Sequence, residues 1–220
     1  MLGNDRAADV IEHSGASAFV HKFITGKGSP FTLLLLHGTG GDETDMIPIG
    51  RILAPAASLL SLRGPVNENG MARFFRPASA GVFDVEDIVV RTHRLAAFLK
   101  VASNDYGLDA GKLIPVGYSN GANIAASMLL IRPGHIPAAV LFRPQVVFEP
   151  ENVCDLSSTH IYISAGNLDP LVSEENSQEL ASLFRMAGAH VTLAIENATH
   201  GLTQRELESA RKWLVEKGVE

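Results

Sequence analysis

Short apolar segments alternate with helix-like segments along most of the chain. FTLLLL (31–36) is apolar throughout, as expected of a strand that is covered on both faces of a sheet. The other strand-like segments are FVHKFIT (19–25), ASLLSL (57–62), KLIPVG (112–117), AAVLF (138–142), HIYIS (160–164) and VTLAI (191–195). The first of these alternates apolar and polar residues and predicts an edge strand. Strands that alternate with helices predict a mostly parallel central sheet with helices on both faces, which is an α/β fold.

Helix-like segments lie between these strands. A helix is predicted near 45–54, with Asp45 as its N-cap and Pro48 in its first turn. Further helices are predicted from Asp84 onwards, over 120–131, before Gly188, and after the capping-box sequence Thr203-Gln204-Arg205-Glu206. Residues 63–83 have no clear periodicity. We therefore expect residues 1–220 to form a single α/β domain, with its core over about 19–217.

Composition limits the classes of function that the chain can serve. The formal net charge is −6, whereas a nucleic-acid surface needs clustered Lys and Arg, so no nucleic-acid partner is expected. The chain has one cysteine, Cys154, which excludes an intramolecular disulfide and fits a reducing compartment. No apolar segment has the length of a membrane span, and the N-terminal residues lack a signal-like pattern. We expect a cytoplasmic protein.

Chemically reactive residues follow four of the predicted strands. HGTGG (37–41) follows the strand FTLLLL, and Ser119 follows KLIPVG. Asp169 follows HIYIS, and His200 follows VTLAI. Because the carboxyl ends of parallel strands meet at one edge of a sheet, where ligands bind in such folds, these residues are predicted to converge.

The serine lies in the sequence G-Y-S-N-G, a pattern typical of a strand-to-helix turn that exposes the serine hydroxyl. Ser119 needs a base because its hydroxyl stays protonated at neutral pH; His200 can accept that proton, and Asp169 can orient the imidazole. The chain order Ser, Asp, His is the order expected for this kind of fold. The backbone N–H groups of Thr39 and Asn120 are predicted to stabilise the oxyanion.

Structural roles are the better interpretation for the competing residues. Asp84 and Asp87 fit the start of a helix, and His37 is expected to shape the glycine turn through hydrogen bonds. Cys154 lies outside any nucleophile motif. No His-Glu-x-x-His or paired-cysteine spacing occurs, so no metal is expected. No cofactor is expected either, since proton transfer and oxyanion stabilisation suffice for acyl transfer.

Five segments together resemble the phospholipase/carboxylesterase branch of the α/β-hydrolases, which includes the acyl-protein thioesterases: HGTGGDETDM, SLRGPVNENGMARFFRPASAGVFDVEDI, VGYSNGAN, GNLDP and NATHGL. RGPVNENGMARFFR and FDVED are most similar to bacterial carboxylesterases related to hydroquinone-resistance proteins. The resemblance implies Ser119, Asp169 and His200 as the catalytic triad, Thr39 and Asn120 as oxyanion donors, and a homodimer as a plausible assembly. Acyl-protein thioesterases usually carry Gln where Asn120 stands, a departure that disfavours protein deacylation.

The segment 63–83 is the expected wall of the substrate pocket, because long irregular segments inside compact domains are often functional. Two interpretations of its apolar side chains remain open: they contact an acyl or aryl group, or they hold the segment on the core. These side chains are Met71, Phe74, Phe75 and Phe83. Two interpretations of Arg73 and Arg76 also remain open: they attract an anionic substrate, or they form salt bridges.

Residues 143–159 are too few to form a large cap domain between two strands, so we expect an open site. The sequence as a whole predicts a serine hydrolase that cleaves small carboxylic esters or thioesters through an acyl-enzyme. The alternatives are a lysophospholipase or acyl-protein thioesterase, and a non-catalytic protein of the same fold that binds a small ligand.

Overall fold

A computed structural model describes residues 19–79, 82–132, 134–150 and 154–219. Its strands are β1 (His21–Ile24), β2 (Thr32–Leu36), β3 (Ser58–Leu62), β4 (Val66–Glu68), β5 (Met71–Arg73), β6 (Pro77–Ser79), β7 (Val82–Phe83), β8 (Leu113–Tyr118), β9 (Ala138–Phe142), β10 (His160–Gly166) and β11 (His190–Glu196). Its α-helices are α1 (Ile47–Leu53), α2 (Val85–Tyr106), α3 (Asn120–Ile131), α4 (Glu174–Met186) and α5 (Gln204–Glu216).

Seven strands form one sheet in the order β1-β3-β2-β8-β9-β10-β11. β1 is an antiparallel edge strand beside β3, and the other six strands are parallel to one another. The predicted edge strand and the predicted parallel sheet are both confirmed. Because these six strands are parallel, the loops that follow them all open at one edge of the sheet.

Both faces of the sheet are covered by helices, and the leucines of β2 divide between the two faces. Leu34 and Leu36 belong to the core cluster under α2, α3 and α4, whereas Leu33 and Leu35 belong to the cluster under α1 and α5. Alternate residues of a strand point to opposite faces of the sheet, so an unbroken run of leucines is stable only where both faces are shielded from solvent. This is the architecture of an α/β hydrolase.

Two helices begin at the capping residues that the sequence predicts, and one does not. The Asp84 carboxylate accepts the N–H of Asp87 at the start of α2, as predicted, and Thr203 forms a complete capping box at the start of α5. The prediction of Asp45 as the N-cap of α1 is wrong, because the cap position is Met46. Asp45 instead accepts the N–H of Asp42 at 3.1 Å and so stabilises the turn before the helix.

The segment that lacked periodicity contains two short antiparallel hairpins, β4–β5 and β6–β7. Asn69 and Gly70 join β4 to β5, and both have positive φ angles of 53° and 86°. Two consecutive residues with positive φ make the turn that best matches the twist of a two-stranded ribbon, and Asn-Gly is its preferred sequence. The described residues of this segment, 63–79 and 82–83, thus contain regular structure, and the β4–β5 hairpin contacts the turn that follows β2.

The region between β9 and β10 is short, as expected. Its described residues, 143–150 and 154–159, form neither a helix nor a strand, so no large lid covers the sheet edge there. Within the described part of the chain, no helix combines the length and the apolar character that crossing a membrane requires.

Candidate active site

Ser119 lies on the turn between β8 and α3 in a strained backbone conformation. Its φ and ψ angles are 52° and −115°, outside the regions that a residue with a side chain normally adopts. Such strain costs of the order of 1–3 kcal/mol and persists only where the surroundings impose it. The Ser119 N–H donates to the carbonyl of Phe142 at 2.9 Å, which fixes the turn to the end of β9.

Glycines allow this turn to approach its neighbours. A side chain at Gly121 would collide with the backbone carbonyls of Leu36 and His37, and one at Gly117 would collide with the backbone of Ala122. The turn after β8 is therefore in direct backbone contact with the turn after β2. This contact places the glycine-rich turn beside the serine.

His200 joins the other two members of the predicted triad. Its Nε2 lies 2.9 Å from the Ser119 Oγ, and its Nδ1 lies 2.7 Å from the Asp169 Oδ2. With the hydroxyl donating to Nε2, the imidazole proton resides on Nδ1 and points to the carboxylate. The Asp169 side chain is fully buried, and its other oxygen accepts the N–H groups of Leu171 and Val172 at 2.8 and 3.2 Å.

The two predicted oxyanion donors lie on either side of the serine turn. Asn120 is the first residue of α3, so its N–H has no acceptor within the helix. Thr39 lies in the turn after β2, which is held by a hydrogen bond of 3.1 Å from Gly41 N–H to the Gly38 carbonyl. Gly40 N–H donates to the Ala72 carbonyl at 2.9 Å, which connects this turn to the β4–β5 hairpin.

His37 holds the glycine turn through both ring nitrogens, as predicted. Its Nε2 accepts the N–H of Gly64 at 2.9 Å, so the proton resides on Nδ1, which donates to the Gly38 carbonyl at 2.6 Å. Burial lowers the pKa of His37 below its ordinary value, and the neighbouring Gly38 carbonyl opposes this shift. The neutral imidazole is the form that this hydrogen-bond pattern requires.

A cleft of about 420 Å³ opens beside the glycine turn. Apolar side chains of Met46, Ile49 and Leu202 line it, together with Thr39 and Tyr118. Asp45 also lines the cleft and supplies a carboxylate at its wall. The cleft thus combines an apolar surface with a negative charge.

The aromatic residues of segment 63–83 face the core. Phe74 and Phe75 are 1% and 0% exposed and belong to the core cluster, and Phe83 packs against that cluster. Because their rings are enclosed by core side chains, Phe74 and Phe75 support the interpretation in which they hold the segment on the core rather than contact substrate. Met71, by contrast, is exposed and lies beside Gly40, so its contact with substrate stays a prediction.

Arg73 and Arg76, whose role the sequence left open, are both paired with carboxylates. Arg73 Nη1 lies 2.8 Å from the Glu68 carboxylate, and Arg76 Nε lies 3.8 Å from the Asp87 carboxylate. The salt-bridge interpretation is the one that these contacts support.

Sequence reasoning missed the side-chain role of Asn120. Its Oδ1 accepts the N–H of Phe74 at 2.7 Å, whereas its buried Nδ2 has no hydrogen-bond partner among the described residues. Sequence analysis predicted a role only for the backbone N–H of Asn120, as an oxyanion donor.

A buried ion pair beside the site was also missed. Arg143 Nη1 lies 2.5 Å from the Glu206 Oε1, and both side chains are fully buried. Burial raises the pKa of Glu206, but hydrogen bonds from Arg143 and Ser164 outweigh it, so the net pKa lies below the ordinary value. Glu206 is therefore ionised at neutral pH and balances the charge of Arg143.

Sheet order, the strand-to-helix turn and the residues at the sheet edge together define an α/β hydrolase. The chain belongs to the dienelactone hydrolase family, whose family model matches residues 81–219. The hydrolase MhqD of Bacillus subtilis (strain 168) is 45% identical over 196 residues, which cover 89% of this chain and 98% of that protein. The resemblance to α/β-hydrolase esterases is thus confirmed.

Solved structures of similar proteins agree. The Bacillus cereus carboxylesterase has a TM-score of 0.89 and 42% identity, and the match covers 92% of this chain and 96% of that one. YahD, solved with malic acid, has a TM-score of 0.87 and 31% identity, with 91% and 100% covered. The protein is an esterase-type hydrolase.

Proposed function

We propose that the protein is a serine hydrolase that cleaves small carboxylic esters through an acyl-enzyme, with Ser119, His200 and Asp169 as its catalytic triad. One observation carries the proposal: the His200 imidazole contacts the Ser119 hydroxyl at 2.9 Å and the Asp169 carboxylate at 2.7 Å. This arrangement is the one in which imidazole acts as general base and the carboxylate fixes its tautomer. Residues 1–220 act as one catalytic domain in this proposal.

The first half-reaction acylates the serine. As Ser119 Oγ bonds to the ester carbonyl carbon, His200 Nε2 takes the hydroxyl proton and the carbonyl electron pair moves onto oxygen. The N–H groups of Thr39 and Asn120 donate to the resulting oxyanion. When the carbonyl re-forms, the bond to the alkoxy oxygen breaks and His200 delivers its proton to that oxygen. The alcohol leaves, and the acyl group remains on Ser119.

The second half-reaction consumes one water. His200 takes a proton from the water as its oxygen bonds to the acyl carbon, and the same donors stabilise the second oxyanion. Collapse of this intermediate breaks the bond to Ser119 Oγ, which recovers its proton from His200. The net change is one ester and one water converted into one acid and one alcohol.

The charges around the cleft favour uncharged substrates. Asp45 lines the cleft, and Arg63, which directly follows β3, pairs with Glu43 at 2.6 Å. Arg73 and Arg143 are each paired with a glutamate, as described above. A carboxylate on the substrate would meet the negative charge of Asp45 while these cations are already neutralised.

Several other candidates compete with a small neutral ester. The first is an acidic substrate: YahD, which is similar to this chain, was solved with malic acid, a dicarboxylic acid. Thioesters and lysophospholipids are alternatives that the same acyl-enzyme chemistry would serve. A non-catalytic ligand-binding protein is the remaining candidate, and the intact Ser119–His200–Asp169 contacts argue against it.

Labelling and turnover with the same protein separate these candidates. We expect a fluorophosphonate probe to label wild-type Ser119 stoichiometrically, and a series of p-nitrophenyl esters to give a burst of p-nitrophenol. Ser119→Ala should lose both signals while keeping its fold by circular dichroism. Short acyl chains should be preferred over long ones. An unlabelled and inactive wild-type protein would refute the proposal in favour of a binding protein.

A further inference from the structure

We propose that Arg143 is a positioning residue, which holds His200 in place by binding the main chain on both sides of it. This inference rests on the proposed function, because it assigns a role in the reaction that His200 would carry out. Arg143 directly follows β9 and is distant in sequence from the loop that carries His200.

The guanidinium contacts two carbonyls that flank the histidine. Arg143 Nε donates to the Thr199 carbonyl at 3.0 Å, and Arg143 Nη2 donates to the Gly201 carbonyl at 3.0 Å. These are the residues immediately before and after His200. A planar group that binds both neighbours fixes the orientation of the peptide segment between them, and hence the direction in which the imidazole leaves the backbone.

The third nitrogen of the guanidinium anchors it to the fold. Arg143 Nη1 donates to Glu206 and also to the carbonyl and hydroxyl of Ser164, each at 3.2 Å. Ser164 lies in β10, and Glu206 lies in the first turn of α5. The His200 loop is therefore tied through one side chain to the sheet and to a helix.

Arg143 also lies beside the acid of the triad. Its Nε is 3.8 Å from the Asp169 Oδ2, the oxygen that contacts His200. Glu206 and Tyr118 also lie close to the Arg143 and Asp169 side chains. Burial raises the pKa of Tyr118, so its hydroxyl keeps its proton and donates to the His200 carbonyl at 3.1 Å.

Three consecutive main-chain carbonyls in the His200 loop accept hydrogen bonds from two side chains. Thr199 and Gly201 are bound by Arg143, and the His200 carbonyl is bound by Tyr118. Arg143 adopts a positive φ angle of 56°, which is uncommon for a residue with a side chain. A strained, fully buried arginine whose donors converge on the base of the proposed triad is better explained by positioning than by packing alone.

Replacement of Arg143 by lysine is the most specific test, because lysine keeps the positive charge but lacks the planar set of N–H donors of a guanidinium group. Arg143→Lys should lower kcat by about 10–100-fold while KM changes by less than about 2-fold, since misplacing a reacting group by about 1 Å can cost 10²-fold. The far-downfield proton resonance of the His200–Asp169 hydrogen bond should weaken or disappear. Arg91→Lys is the matched control: Arg91 pairs with Asp87 at 3.1 Å on α2 and should leave all three quantities unchanged.

A second variant keeps the inference testable if the lysine variant does not fold. Arg143→Gly suits the positive φ angle, and added guanidinium ion at a non-denaturing concentration should restore kcat, whereas sodium at equal ionic strength should not. Wild-type kcat and an intact downfield resonance in a folded Arg143 variant would overturn the positioning role. That outcome differs from failure of the proposed function, in which wild-type Ser119 itself would not react with the fluorophosphonate.

Discussion

The side chain of Asn120 accepts the main-chain N–H of Phe74 at 2.7 Å, although 46 residues separate them. Asn120 directly follows the proposed nucleophile, and Phe74 directly follows β5. One hydrogen bond therefore joins the serine turn to the segment that follows β5. Glutamine at this position would place its carboxamide one methylene further out and would have to find the same N–H from a longer reach.

Loss of this contact should loosen the β4–β7 segment. Asn120→Ala leaves the buried N–H of Phe74 without its acceptor, so we expect the free energy of unfolding to fall by about 1–3 kcal/mol in urea titrations. Asn123→Ala is the matched control, since Asn123 Oδ1 accepts the N–H of Gln145 at 2.7 Å from the same helix. Only the Asn120 variant should expose 63–83 to limited proteolysis, and equal protection in both variants would contradict this role.

Relief of the backbone strain at Ser119 should raise the free energy of unfolding. Ser119→Gly relieves a positive φ angle, a gain of about 1–3 kcal/mol that exceeds the cost of about 0.5–1 kcal/mol for glycine flexibility. We expect the variant to unfold at a higher urea concentration than wild type and to turn over esters at least about 10³-fold more slowly. Ser119→Ala keeps the strain and should be less stable than Ser119→Gly; the reverse order would show that the backbone there is relaxed.

Protonation of His37 should destabilise the fold in mild acid. The pKa of His37 is lowered from 6.5 by burial, so below that value the unfolded chain binds more protons than the folded chain. The free energy of unfolding should therefore fall as the pH drops from about 6.5 through the lowered folded pKa. His37→Gln should flatten this part of the curve.

A second histidine tests whether location matters, with ester turnover in mild acid as the measured quantity. The pKa of His160 is also lowered, by burial and by the charge of Lys217, but this residue lies at the amino end of β10, away from the glycine turn. We expect His37→Gln to change the pH dependence of turnover and His160→Gln to leave it unchanged. If both variants change turnover alike, the glycine turn does not depend on His37.

Asp45 should select against acidic substrates. We expect Asp45→Asn to raise kcat/KM for a carboxylate-bearing p-nitrophenyl ester by about 3–10-fold relative to a neutral ester of equal length, since an exposed charge pair a few Å apart is worth about 1 kcal/mol. Added salt should shrink the difference. Asp155→Asn is the control, since Asp155 precedes β10 at the opposite edge of the sheet, and it should leave the ratio of kcat/KM values unchanged. An unchanged ratio in Asp45→Asn would show that substrates bind outside this cleft.

The sequence predicted the sheet and the convergence of reactive residues because both follow from local patterns. Ser119, Asp169 and His200 each lie a few residues after a strand-like segment, and parallel topology brings such positions to one edge. Local pattern was thus sufficient for the sheet and for this convergence. The hairpin at Asn69-Gly70 was not predicted, although that dipeptide is a strong hairpin signal, because the flanking strands are short.

Long-range polar contacts could not be predicted in this way. Arg143 and Glu206 are 63 residues apart, and nothing in either local sequence indicates burial or pairing. Glu206 fitted a capping box, and its Oε2 does accept the N–H of Thr203, while its Oε1 serves Arg143. One carboxylate fills two roles, and the local pattern accounts for only the first. The burial of Phe74 and Phe75 likewise depends on how a hairpin docks, which periodicity does not encode.

The pairing of Arg143 with Glu206 has a consequence for synthesis on the ribosome. The proposed nucleophile, Ser119, is synthesised before the carboxylate that anchors Arg143, because Glu206 belongs to α5. If Arg143 positions His200 as proposed, a nascent polypeptide that lacks α5 carries the serine hydroxyl without an organised base. Ester hydrolysis would then begin only after α5 has been synthesised and has packed on the sheet.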